Sequence, residues 1–501
     1  MMDLKQKNIL VLGLGASGLA LARWCARCGA QVTVADTRAT PPQLSALRAS
    51  LPDATFVHAD MDEGLLSVDA FDGIFQSPGL SPASIDGVTL AAKARGIACG
   101  NELTLFAQAL ADLKRDQGYS PQVIGITGTN GKTTVTSLTG QLVQRAGKSV
   151  AVAGNIGPTL LDTLAQKLDD ALDGQTLPEV WVLELSSFQL DGITNFEPTV
   201  ATVLNITQDH LDWHQTLGAY AAAKTRIFSG SGVMLLNRND PLVMAALPPL
   251  VKGKQLREVL TFGSDLPQRP GDYGIETVHG MAWLVRAAAA DETVRRRKDE
   301  ALELHIQRLM PVDALHIRGR HNATNALAAL ALAVAAGCHL APMLHGLRDY
   351  RGEPHRVQSI AVIHEVEFFD DSKGTNVGAT VAALAGLGAE RKLVVIMGGD
   401  GKGQDFSPLA EPVSRYARAV VLIGRDAPEI RTALHQTAVA LHDAASLEDA
   451  VDVAVQQAHP GDAVLMSPAC ASLDMFDNYE HRARVFCEAV QSLAREEGVV
   501  L

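Results

Sequence analysis

Two glycine-rich loops, each preceded by an apolar run and followed by a helix-like pattern, constrain this chain most strongly. The stretch "NILVLGLGASGLALARWC" places one loop at residues 13–18, and "VIGITGTNGKTTVTSL" places the other at residues 128–133. A strand, a tight turn and a helix in that order open a βα unit of a parallel sheet. The chain is therefore predicted to contain at least two α/β domains, each with a phosphate-binding loop.

The length and the recurring strand signals indicate three α/β domains. A chain of 501 residues exceeds what one hydrophobic core organises. The polar segment 113–121 is predicted to be a linker, and the expected domains are residues 1–112, 113–351 and 352–501. Short apolar runs that alternate with helix-like stretches are the strand candidates: residues 9–12, 32–35, 73–75, 149–153, 180–185, 200–205, 233–237, 368–370, 393–397, 420–423 and 463–466.

One part of the second domain has no regular pattern. Residues 265–315 are predicted to be irregular, and their charged portion, about 286–312, is interpreted as an insertion that forms a solvated helix or a mobile segment. The stretch "NATNALAALALAVAAG" that follows is predicted to be a helix ending at Gly337.

Charge and cysteine content narrow the possible functions. The 43 Lys and Arg residues against 56 Asp and Glu give a net charge of −13, which argues against bulk electrostatic binding to nucleic acid or to an anionic membrane. An anionic ligand would need a local cluster of Lys and Arg. The six cysteines are scattered, as in a reduced protein. The longest apolar stretch, 326–338, is too short to span a bilayer, so we expect a cytoplasmic protein with no membrane insertion.

The first loop matches the fingerprint of a dinucleotide site. Gly13, Gly15 and Gly18 form G-x-G-x-x-G between a strand and a helix, and Asp36 ends the next strand. The glycines allow a close approach to a diphosphate, and the carboxylate can accept hydrogen bonds from a ribose. A nicotinamide-dependent oxidoreductase is one interpretation, and tight packing within the βα unit is another.

The second loop resembles a P-loop whose glycines are shifted. The strict pattern requires glycine at position 126, where this chain has Ile126, and Gly128 stands instead. Lys132 can still reach terminal phosphates, and the Thr133 hydroxyl can bind Mg²⁺. The loop predicts an ATP site, in an enzyme or in a non-catalytic nucleotide switch.

Polar residues at two further strand ends can complete that site. Glu184 ends a buried strand in "WVLELSSFQL", and Asp209 and His210 follow another strand in "LNITQDHLDWH". Ligands in open α/β sheets bind beyond the carboxyl ends of the strands, so these side chains are expected to converge with the phosphate loop. A buried carboxylate favours a metal or a cationic partner. A histidine such as His210, taken on its own, more often has a structural role.

Together these pieces resemble the Mur ligases, ATP-dependent enzymes of peptidoglycan synthesis that form amide bonds. The resemblance covers nearly the whole chain. It implies an α/β fold of three domains: an N-terminal Rossmann-like domain that binds a UDP-linked substrate, a central P-loop ATPase-like domain and a C-terminal Rossmann-like domain. The motifs occur in the family's order: "GTNGKTT", "ELSSFQL", "NITQDHLDWH", "YAAAKTRIF", "GRHNATNALAAL", "PHR", "DDSKGTNVGAT" and "GGDGKGQDF".

Within the family, "GLGASG", "DTR" and "SPACASLDMFDNYEHRARVF" resemble the members that add D-glutamate to UDP-N-acetylmuramoyl-L-alanine. The resemblance implies an acyl-phosphate intermediate and release of ADP and phosphate. The third domain lacks the D-x-P-R-like signature of members that add diaminopimelate or lysine. Another Mur-type ligase or a folylpolyglutamate-type ligase is the alternative within the same class.

The resemblance also implies roles for individual residues. Catalytic roles fall on Lys132, Glu184, His210, Lys224, Lys373 and Lys402. ATP contacts fall on Gly128, Thr129, Asn130, Gly131, Lys132, Thr133, Thr134, Asn325, Arg356 and Asp371. Contacts to the UDP-linked substrate fall on Gly15, Ala16, Ser17, Asp36, Thr37, Arg38, Ser77 and Asn155. The D-glutamate pocket is formed by Thr375, Lys402, Ser472, Leu473 and Tyr479.

The metal site implied by the resemblance holds two Mg²⁺ ions. Its ligands are Thr133, Glu184, His210 and Lys224, the last as a carbamate formed with CO₂. A carbamate supplies the anionic oxygen that Mg²⁺ takes, whereas an ammonium repels the ion. From the residues alone Lys224 is a surface helix lysine. Position 479 is tyrosine where the family pattern often has phenylalanine, and the chain is expected to be a monomer.

Overall fold

The computed structural model describes residues 4–68, 70–252, 254–290, 303–389 and 391–499. The first domain is built on a parallel sheet. Its strands are β1 (Asn8–Leu12), β2 (Gln31–Asp36), β3 (Thr55–His58), β4 (Gly73–Gln76) and β5 (Ala98–Asn101). Its helices are α1 (Ala16–Arg27), α2 (Leu44–Ser50), α3 (Leu65–Val68), α4 (Pro82–Ala94) and α5 (Glu102–Gln117). The strand order β3-β2-β1-β4-β5 reverses between β1 and β4, where ligands bind in such sheets.

A second parallel sheet follows. Its strands are β6 (Gln122–Thr127), β7 (Val150–Gly154), β8 (Val180–Glu184), β9 (Val200–Val203), β10 (Val233–Asn237) and β11 (Val259–Phe262). Its helices are α6 (Lys132–Arg145), α7 (Leu160–Leu172), α8 (Ser187–Leu190), α9 (Leu211–His214), α10 (Leu217–Thr225) and α11 (Pro241–Met244). The order β11-β10-β9-β6-β8-β7 puts β6 between β8 and β9. The phosphate loop therefore lies between the strand ends that carry Glu184 and lead to His210.

Within the predicted irregular segment 265–315, the described residues form a small antiparallel sheet, so that prediction was wrong. Its strands are β12 (Tyr273–Val278), β13 (Met281–Ala289) and β14 (Leu304–Pro311), paired in the order β12-β13-β14. Within the predicted insertion 286–312, the parts that the structure describes belong mainly to β13 and β14. Residues 291–302 lie outside the described residues. The sheet buries Tyr273 and Leu284 against the helix α12 (Arg320–Ala335), which is followed by α13 (Leu340–Asp349).

The third domain has a mostly parallel sheet with an antiparallel edge strand. The strands are β15 (Gln358–Ile363), β16 (Val366–Asp370), β17 (Leu393–Gly398), β18 (Ala417–Ile423), β19 (Ala440–Asp443) and β20 (Ala463–Met466). The helices are α14 (Val377–Gly388), α15 (Ala410–Tyr416), α16 (Ala427–Leu434), α17 (Leu447–Gln457) and α18 (Tyr479–Glu496). The order is β15-β16-β20-β17-β18-β19. The fold class, α/β with three sheet-based domains, is confirmed.

The strand candidates from the sequence all coincide with strands, but the predicted linker does not hold over its whole length. Residues 113–117 continue α5, and the helix ends at Gly118. The helix α5 packs on α1 and α7, so the first and second domains share a continuous hydrophobic cluster. No helix in the described ranges is long and apolar enough to cross a lipid bilayer.

Glu102, at the start of α5, is a buried carboxylate between the first two domains. It is 1% exposed, and its Oε1 accepts the backbone N–H of Leu161 at the start of α7, at 3.0 Å. Within the described residues its Oε2 has no hydrogen-bond partner. Burial raises the pKa of Glu102 to about 7, although the Leu161 N–H opposes this shift.

This raised pKa predicts a pH-dependent stability. Between pH 4.5 and 7 the folded protein retains a proton on Glu102 that the unfolded chain releases, so the group makes the free energy of unfolding fall as the pH rises. The Glu102→Gln variant removes this term. We expect the variant to gain stability over the wild type by about 3 kcal/mol at pH 8, and by much less at pH 5. Urea unfolding at the two pH values measures the difference, and parallel curves would contradict the prediction.

Candidate active site

The phosphate loop lies between β6 and α6, and the segment after β9 forms hydrogen bonds to it. Asn205 contacts the loop through both its side chain and its backbone. Its Oδ1 accepts the Asn130 N–H at 2.8 Å, and its Nδ2 donates to the Asn130 carbonyl at 3.1 Å. Its backbone carbonyl accepts the Thr129 N–H at 2.9 Å. The Thr129 hydroxyl donates to the Thr207 carbonyl at 3.2 Å. The loop shape is therefore fixed by "LNIT" as well as by its own glycines.

Two glycines show why side chains are excluded from the two loops. Gly131, the N-cap of α6, has a φ of +81°, and a Cβ there would lie 2.8 Å from Oδ1 of Asn325. In the first loop, a Cβ on Gly18 would lie 1.9 Å from the carbonyl oxygen of Gly13. The shifted glycine pattern of the second loop is explained by Ile126, which still belongs to β6 and is fully buried in its core.

Lys132 and Thr133 start α6 at the mouth of the loop. The Lys132 ammonium donates to the carbonyls of Gly128 and Thr129 at 3.0 and 2.8 Å. Burial lowers the pKa of Lys132, and the nearby carboxylate of Glu184 opposes this shift. The Thr133 hydroxyl accepts a hydrogen bond from Arg356 of the third domain at 2.6 Å. An arginine of the third domain thus contacts a residue of the second domain that is predicted to bind ATP.

Glu184 ends β8 with its carboxylate beside the loop. Its Oε1 accepts the Asn155 side-chain N–H at 2.7 Å, and its backbone carbonyl accepts the Asn155 backbone N–H at 2.8 Å. The residue is 1% exposed. In the part of the chain that the structure describes, the second oxygen, Oε2, is buried without a hydrogen-bond partner. Such an atom is costly unless a cation or donor occupies the adjacent space.

His210 lies on a strained turn. Its φ is +53°, and it is the N-cap of the short helix α9. Its carbonyl accepts the backbone N–H of His214 at 3.0 Å. Its ring packs edge-on against Phe188 with centroids 4.7 Å apart. Burial above all lowers the pKa of His210, so the ring is neutral at neutral pH, the form that binds metal ions.

Lys224 is buried, which corrects the surface position inferred from the residues alone. It is 1% exposed, its ammonium nitrogen donates to the Gly128 carbonyl at 2.8 Å, and it lies 4.4 Å from the centre of the Tyr220 ring. Burial first, and then the positive charge of Lys132, lower the pKa of Lys224 well below its ordinary value.

These groups fit a divalent cation only in part. Among the described residues no cluster of three or more His, Cys, Asp or Glu side chains is arranged to hold a metal ion. The orphaned oxygen of Glu184 and the neutral ring of His210 face the same cavity as Lys224. The donor set suits a hard cation once Lys224 carries an anionic oxygen.

One cavity of about 500 Å³ brings all six predicted catalytic residues together. It lies where the second and third domains meet. Several of its side chains are cationic, which is the local cluster of Lys and Arg that an anionic ligand requires in a chain of net charge −13. The predicted residues that line it are Thr129, Asn130, Gly131, Lys132, Thr133, Asn155, Glu184, His210, Lys224, Arg356, Lys373, Thr375, Lys402 and Tyr479.

An adjoining cavity of about 230 Å³ contains the predicted nucleotide contacts Asn325, Arg356 and Asp371, with Gly131 and Thr134. Asp371 is 6% exposed and its Oδ2 accepts the Ser467 hydroxyl at 2.7 Å. Burial raises the pKa of Asp371 to about 7.

The residues predicted to bind the UDP-linked substrate lie at the switch point of the first sheet. The Asp36 carboxylate accepts hydrogen bonds from other groups of the protein. The Leu14 N–H donates to it at 2.7 Å, and Nε and Nη2 of Arg38 each donate to it at 2.8 Å. The Arg38 guanidinium holds the pKa of Asp36 at about 2. Ser77 follows β4, beside the loop after β1, and its N–H donates to the Leu12 carbonyl at 2.8 Å.

The predicted D-glutamate residues are only partly assembled. Thr375, Lys402 and Tyr479 line the 500 Å³ cavity, whereas Ser472 and Leu473 do not. Ser472 is buried and Leu473 is exposed. The Tyr479 ring lies beneath the Lys373 ammonium, 3.5 Å from the ring centre. Burial, and then the charge of Arg356, lower the pKa of Lys373 to about 8.

The structure adds residues that the sequence did not single out. Arg482 is fully buried and donates to the carbonyls of Cys470 and Ser372, at 3.2 and 2.9 Å, which holds two loops of the third domain together. Trp213 donates its indole N–H to the Leu80 carbonyl of the first domain at 3.3 Å. Two further residues of this kind are His214, whose Nε2 is hydrogen-bonded to the Ser187 hydroxyl at 2.9 Å, and Asn376. Only the N-cap position of Asn376 before an apolar helix was visible in the sequence.

A cavity of about 670 Å³ lies elsewhere, at the amino ends of β1, β2 and β3, and is lined by Asn8, Gln31 and Thr55 among others. This is the edge opposite to the one where such sheets bind ligands. Asp53 is the titratable group among its described lining residues. It is therefore not the candidate active site.

Fold and site together define a nucleotide-binding α/β protein of three domains, with a phosphate loop facing cations from the third domain. Family models described as "Mur ligase MurD-like, N-terminal domain", "Mur ligase middle domain" and "Mur ligase, glutamate ligase domain" match residues 7–99, 126–333 and 355–470. The chain belongs to the Mur ligase family.

Relatives match over the full length. A protein of Albidiferax ferrireducens named UDP-N-acetylmuramoylalanine–D-glutamate ligase is 66% identical, covering 99% of this chain and 98% of its own. Proteins of the same name from Polaromonas sp. and Ralstonia nicotianae are 59% and 56% identical, each covering 100% of this chain and 100% and 99% of their own.

Solved structures share the fold at low sequence identity. MurF from Acinetobacter baumannii aligns with a TM-score of 0.55 at 18% identity, over 97% of this chain and 91% of its own. UDP-N-acetylmuramate-alanine ligase MurC from Thermotoga maritima aligns with a TM-score of 0.53 at 20% identity, over 97% and 100%.

Proposed function

We propose that this chain is an ATP-dependent ligase that adds D-glutamate to UDP-N-acetylmuramoyl-L-alanine in peptidoglycan precursor synthesis, with release of ADP and phosphate. One observation carries the proposal. The phosphate loop and lysines of the third domain line one cavity, in a chain that is 56–66% identical over its full length to relatives named UDP-N-acetylmuramoylalanine–D-glutamate ligase.

The chemistry has two steps. A carboxylate oxygen of the L-alanine attacks the γ-phosphorus of ATP, the bond to the β,γ-bridging oxygen breaks, and an acyl phosphate and ADP form. The amine of D-glutamate then attacks the acyl carbon, the amide bond forms, the amine loses a proton and inorganic phosphate leaves. ATP supplies the energy because phosphate is a far better leaving group than oxide.

The residues of the cavity suit the first step. A carboxylate that meets a triphosphate is an anion approaching an anion, and nearby cations must offset the repulsion. Lys132 lies at the loop, and Arg356 and Lys373 come from the third domain. Lys402, from the same domain, lines the cavity that Thr375 also lines, and its cation suits the carboxylates of D-glutamate.

We propose that Mg²⁺ binds at Glu184 and His210, with Thr133 and a carbamate on Lys224 as further ligands, and that two ions are held. When bound, Mg²⁺ neutralises charge on the phosphate oxygens. The environment of Lys224 supports the carbamate: the side chain is buried, and its pKa is lowered well below the ordinary value, which favours the neutral amine that attacks CO₂. The product carries an anionic oxygen in place of the amine, in the cavity that the Glu184 carboxylate also lines.

The interface between the second and third domains suits protection of the acyl phosphate from water. Arg356 of the third domain donates to the Thr133 hydroxyl of the second domain at 2.6 Å. A cavity closed in this way keeps the acyl phosphate from hydrolysis until the amine arrives.

Further assignments belong to the same proposal. Residues 1–112, 113–351 and 352–501 are the substrate, ATP and amino-acid domains. The UDP group lies against Gly15, Ala16 and Ser17 at the start of α1, with Asp36, Thr37, Arg38 and Ser77, and Asn155 lies near the reacting end. Thr375, Lys402, Ser472, Leu473 and Tyr479 bind D-glutamate. The protein acts as a monomer in the cytoplasm.

Phosphate release tests the function. The assay contains ATP, Mg²⁺ and UDP-N-acetylmuramoyl-L-alanine with one amino acid at a time: D-glutamate, L-glutamate, meso-diaminopimelate, L-lysine or L-alanine. We expect release with D-glutamate alone, together with a product of the corresponding mass. Release with another amino acid would reassign the third-domain pocket to a different Mur-type ligase. Absence of release with all of them would overturn the substrate assignment of the first domain.

A further inference from the structure

A reciprocal amide pair joins the second and third domains at the active site. Asn130 of the phosphate loop donates its Nδ2–H to Oδ1 of Asn376, and Asn376 donates its Nδ2–H to Oδ1 of Asn130, both at 3.1 Å. The two residues are 246 positions apart in the chain. The pair brings a loop that is predicted to contact ATP phosphates directly against the start of α14.

Asn376 uses the full hydrogen-bonding capacity of its side chain. Besides the pair, its Oδ1 accepts the Ala379 N–H at 2.9 Å, as an N-cap of α14, and its Nδ2 donates to Oδ2 of Asp209 at 3.3 Å. The backbone donor on one side and the carboxylate on the other fix the orientation of the amide. The residue is 5% exposed.

The neighbours of Asn376 in the chain are the groups whose placement matters for the amino acid. Thr375 and Lys373 precede it and line the same cavity as Lys132. Gly378 follows it and packs against the second domain so closely that a Cβ there would lie 2.6 Å from Oγ1 of Thr207. The contacts of Asn376 and Gly378 with the second domain therefore lie in the same short segment as Thr375 and Lys373.

We propose that Asn376 is a positioning residue that couples the phosphate loop to the amino-acid side of the site. Its carboxamide lets Thr375 and Lys373 take their working positions only while Asn130 and Asp209 hold their present arrangement. The inference rests on the proposed function for its kinetic consequences. Without the coupling, the acyl phosphate forms while the third domain is imperfectly closed, and water competes with the amine of D-glutamate.

A matched pair of variants separates this role from helix capping. Serine is as good an N-cap as asparagine, but its side chain is too short to reach Asn130 and Asp209, so Asn376→Ser removes the coupling and keeps the cap. Asn376→Ala removes both. We expect Asn376→Ser to keep the melting temperature of the wild type, to raise KM for D-glutamate about tenfold and to release more than one phosphate per amide product. Asn376→Ala should show the same kinetic changes with a lower melting temperature.

A role in capping alone predicts the opposite: Asn376→Ser would match the wild type in KM and in phosphate per product, and that result would overturn the proposal. A double-mutant cycle with Asn130→Ala adds a second criterion. If the two amides act as a unit, the variant carrying both Asn130→Ala and Asn376→Ser is no worse than Asn130→Ala alone. Independent, multiplying effects would overturn the coupling.

Hydrogen exchange distinguishes failure of this inference from failure of the proposed function. It is measured on the full chain without D-glutamate, so it does not depend on the amino acid being right. Asn376→Ser should speed amide exchange in the phosphate loop, residues 128–131, which lies in another domain. Unchanged exchange there would overturn the proposal. Loss of D-glutamate dependence in the wild type would overturn the function and leave the exchange result standing.

Discussion

The Lys132→Ala variant should lose ligase activity by about 10²–10³-fold or more. Lys132 starts α6 at the mouth of the phosphate loop, with its ammonium within 3.0 Å of two loop carbonyls. In the proposed function it offsets the charge of the terminal phosphates when the L-alanine carboxylate attacks. The rate of phosphate release under saturating ATP and D-glutamate measures the loss.

Binding of UDP-N-acetylmuramoyl-L-alanine to the same variant should stay within about threefold of the wild type, because the proposed site of the UDP group lies at a separate sheet. Calorimetry with the UDP-linked substrate tests this. Lys114→Ala, at an exposed lysine late in α5, is the matched control and should retain activity. If Lys132→Ala lost both ligase activity and binding of the UDP-linked substrate, the assignment of the UDP group to the first domain and of ATP to the second would be wrong.

The parts of the fold that the sequence predicted share one physical feature. A strand in a parallel sheet is a short apolar run that is buried on both faces, and the run ends where the chain reaches the loop at the carboxyl edge. Runs such as the one ending at Glu184 therefore mark both the strand and the position of the polar residue that follows. Because the carboxyl ends meet at one edge, the convergence of Glu184, His210 and Lys132 followed from the strand signals alone.

The small antiparallel sheet was missed for a related reason. One face of this sheet packs against the hydrophobic core, and charged residues elsewhere in its strands hide the alternation of apolar and polar residues. For example, the Arg308 side chain of β14 forms an ion pair with Glu276 of β12 at 2.8 Å. A run of charge is compatible with a solvated helix and with an exposed strand face. Pairing with a neighbouring strand favours the strand over the helix, and the sequence does not show which segment is that neighbour.

Contacts between domains were not predictable from local patterns. Asn376 was visible as a helix cap, but its partner Asn130 is 246 residues away. Arg482 lies in the first turn of α18, where a charged residue is usually solvated, and it is fully buried because two loops offer it carbonyl oxygens. Polar groups buried at interfaces are fixed by the three-dimensional packing of distant segments, and local propensity carries no record of that packing.

Lys224 is the case in which a local pattern misleads most. In "YAAAKTRIF" it has the appearance of an exposed helix lysine, and the structure buries it between the Gly128 carbonyl and the Tyr220 ring. A buried ammonium is costly, and its lowered pKa is the expected response. Conversion to a carbamate changes the group from a cation beside a phosphate loop into an anion suited to a metal ion.

The Lys224→Ala variant should be inactive, with a loss comparable to that of Lys132→Ala, because it removes the proposed anionic ligand. Alanine leaves space beside Glu184 and His210, so added acetate or another short-chain carboxylate should restore part of the activity by supplying the missing oxygen. The recovery should increase with carboxylate concentration, measured as phosphate release that depends on D-glutamate.

Lys224→Arg provides the matched control, because arginine keeps the positive charge, fills the space and does not form a carbamate. It should be inactive and should not respond to carboxylates. The wild type prepared with ¹³C-bicarbonate should show a carbamate resonance that both variants lack. Near-normal activity of Lys224→Ala without additives would exclude the carbamate as a ligand, whereas rescue of the arginine variant would place the carboxylate elsewhere. The two variants thus separate loss of an anionic oxygen from loss of packing at the same buried position.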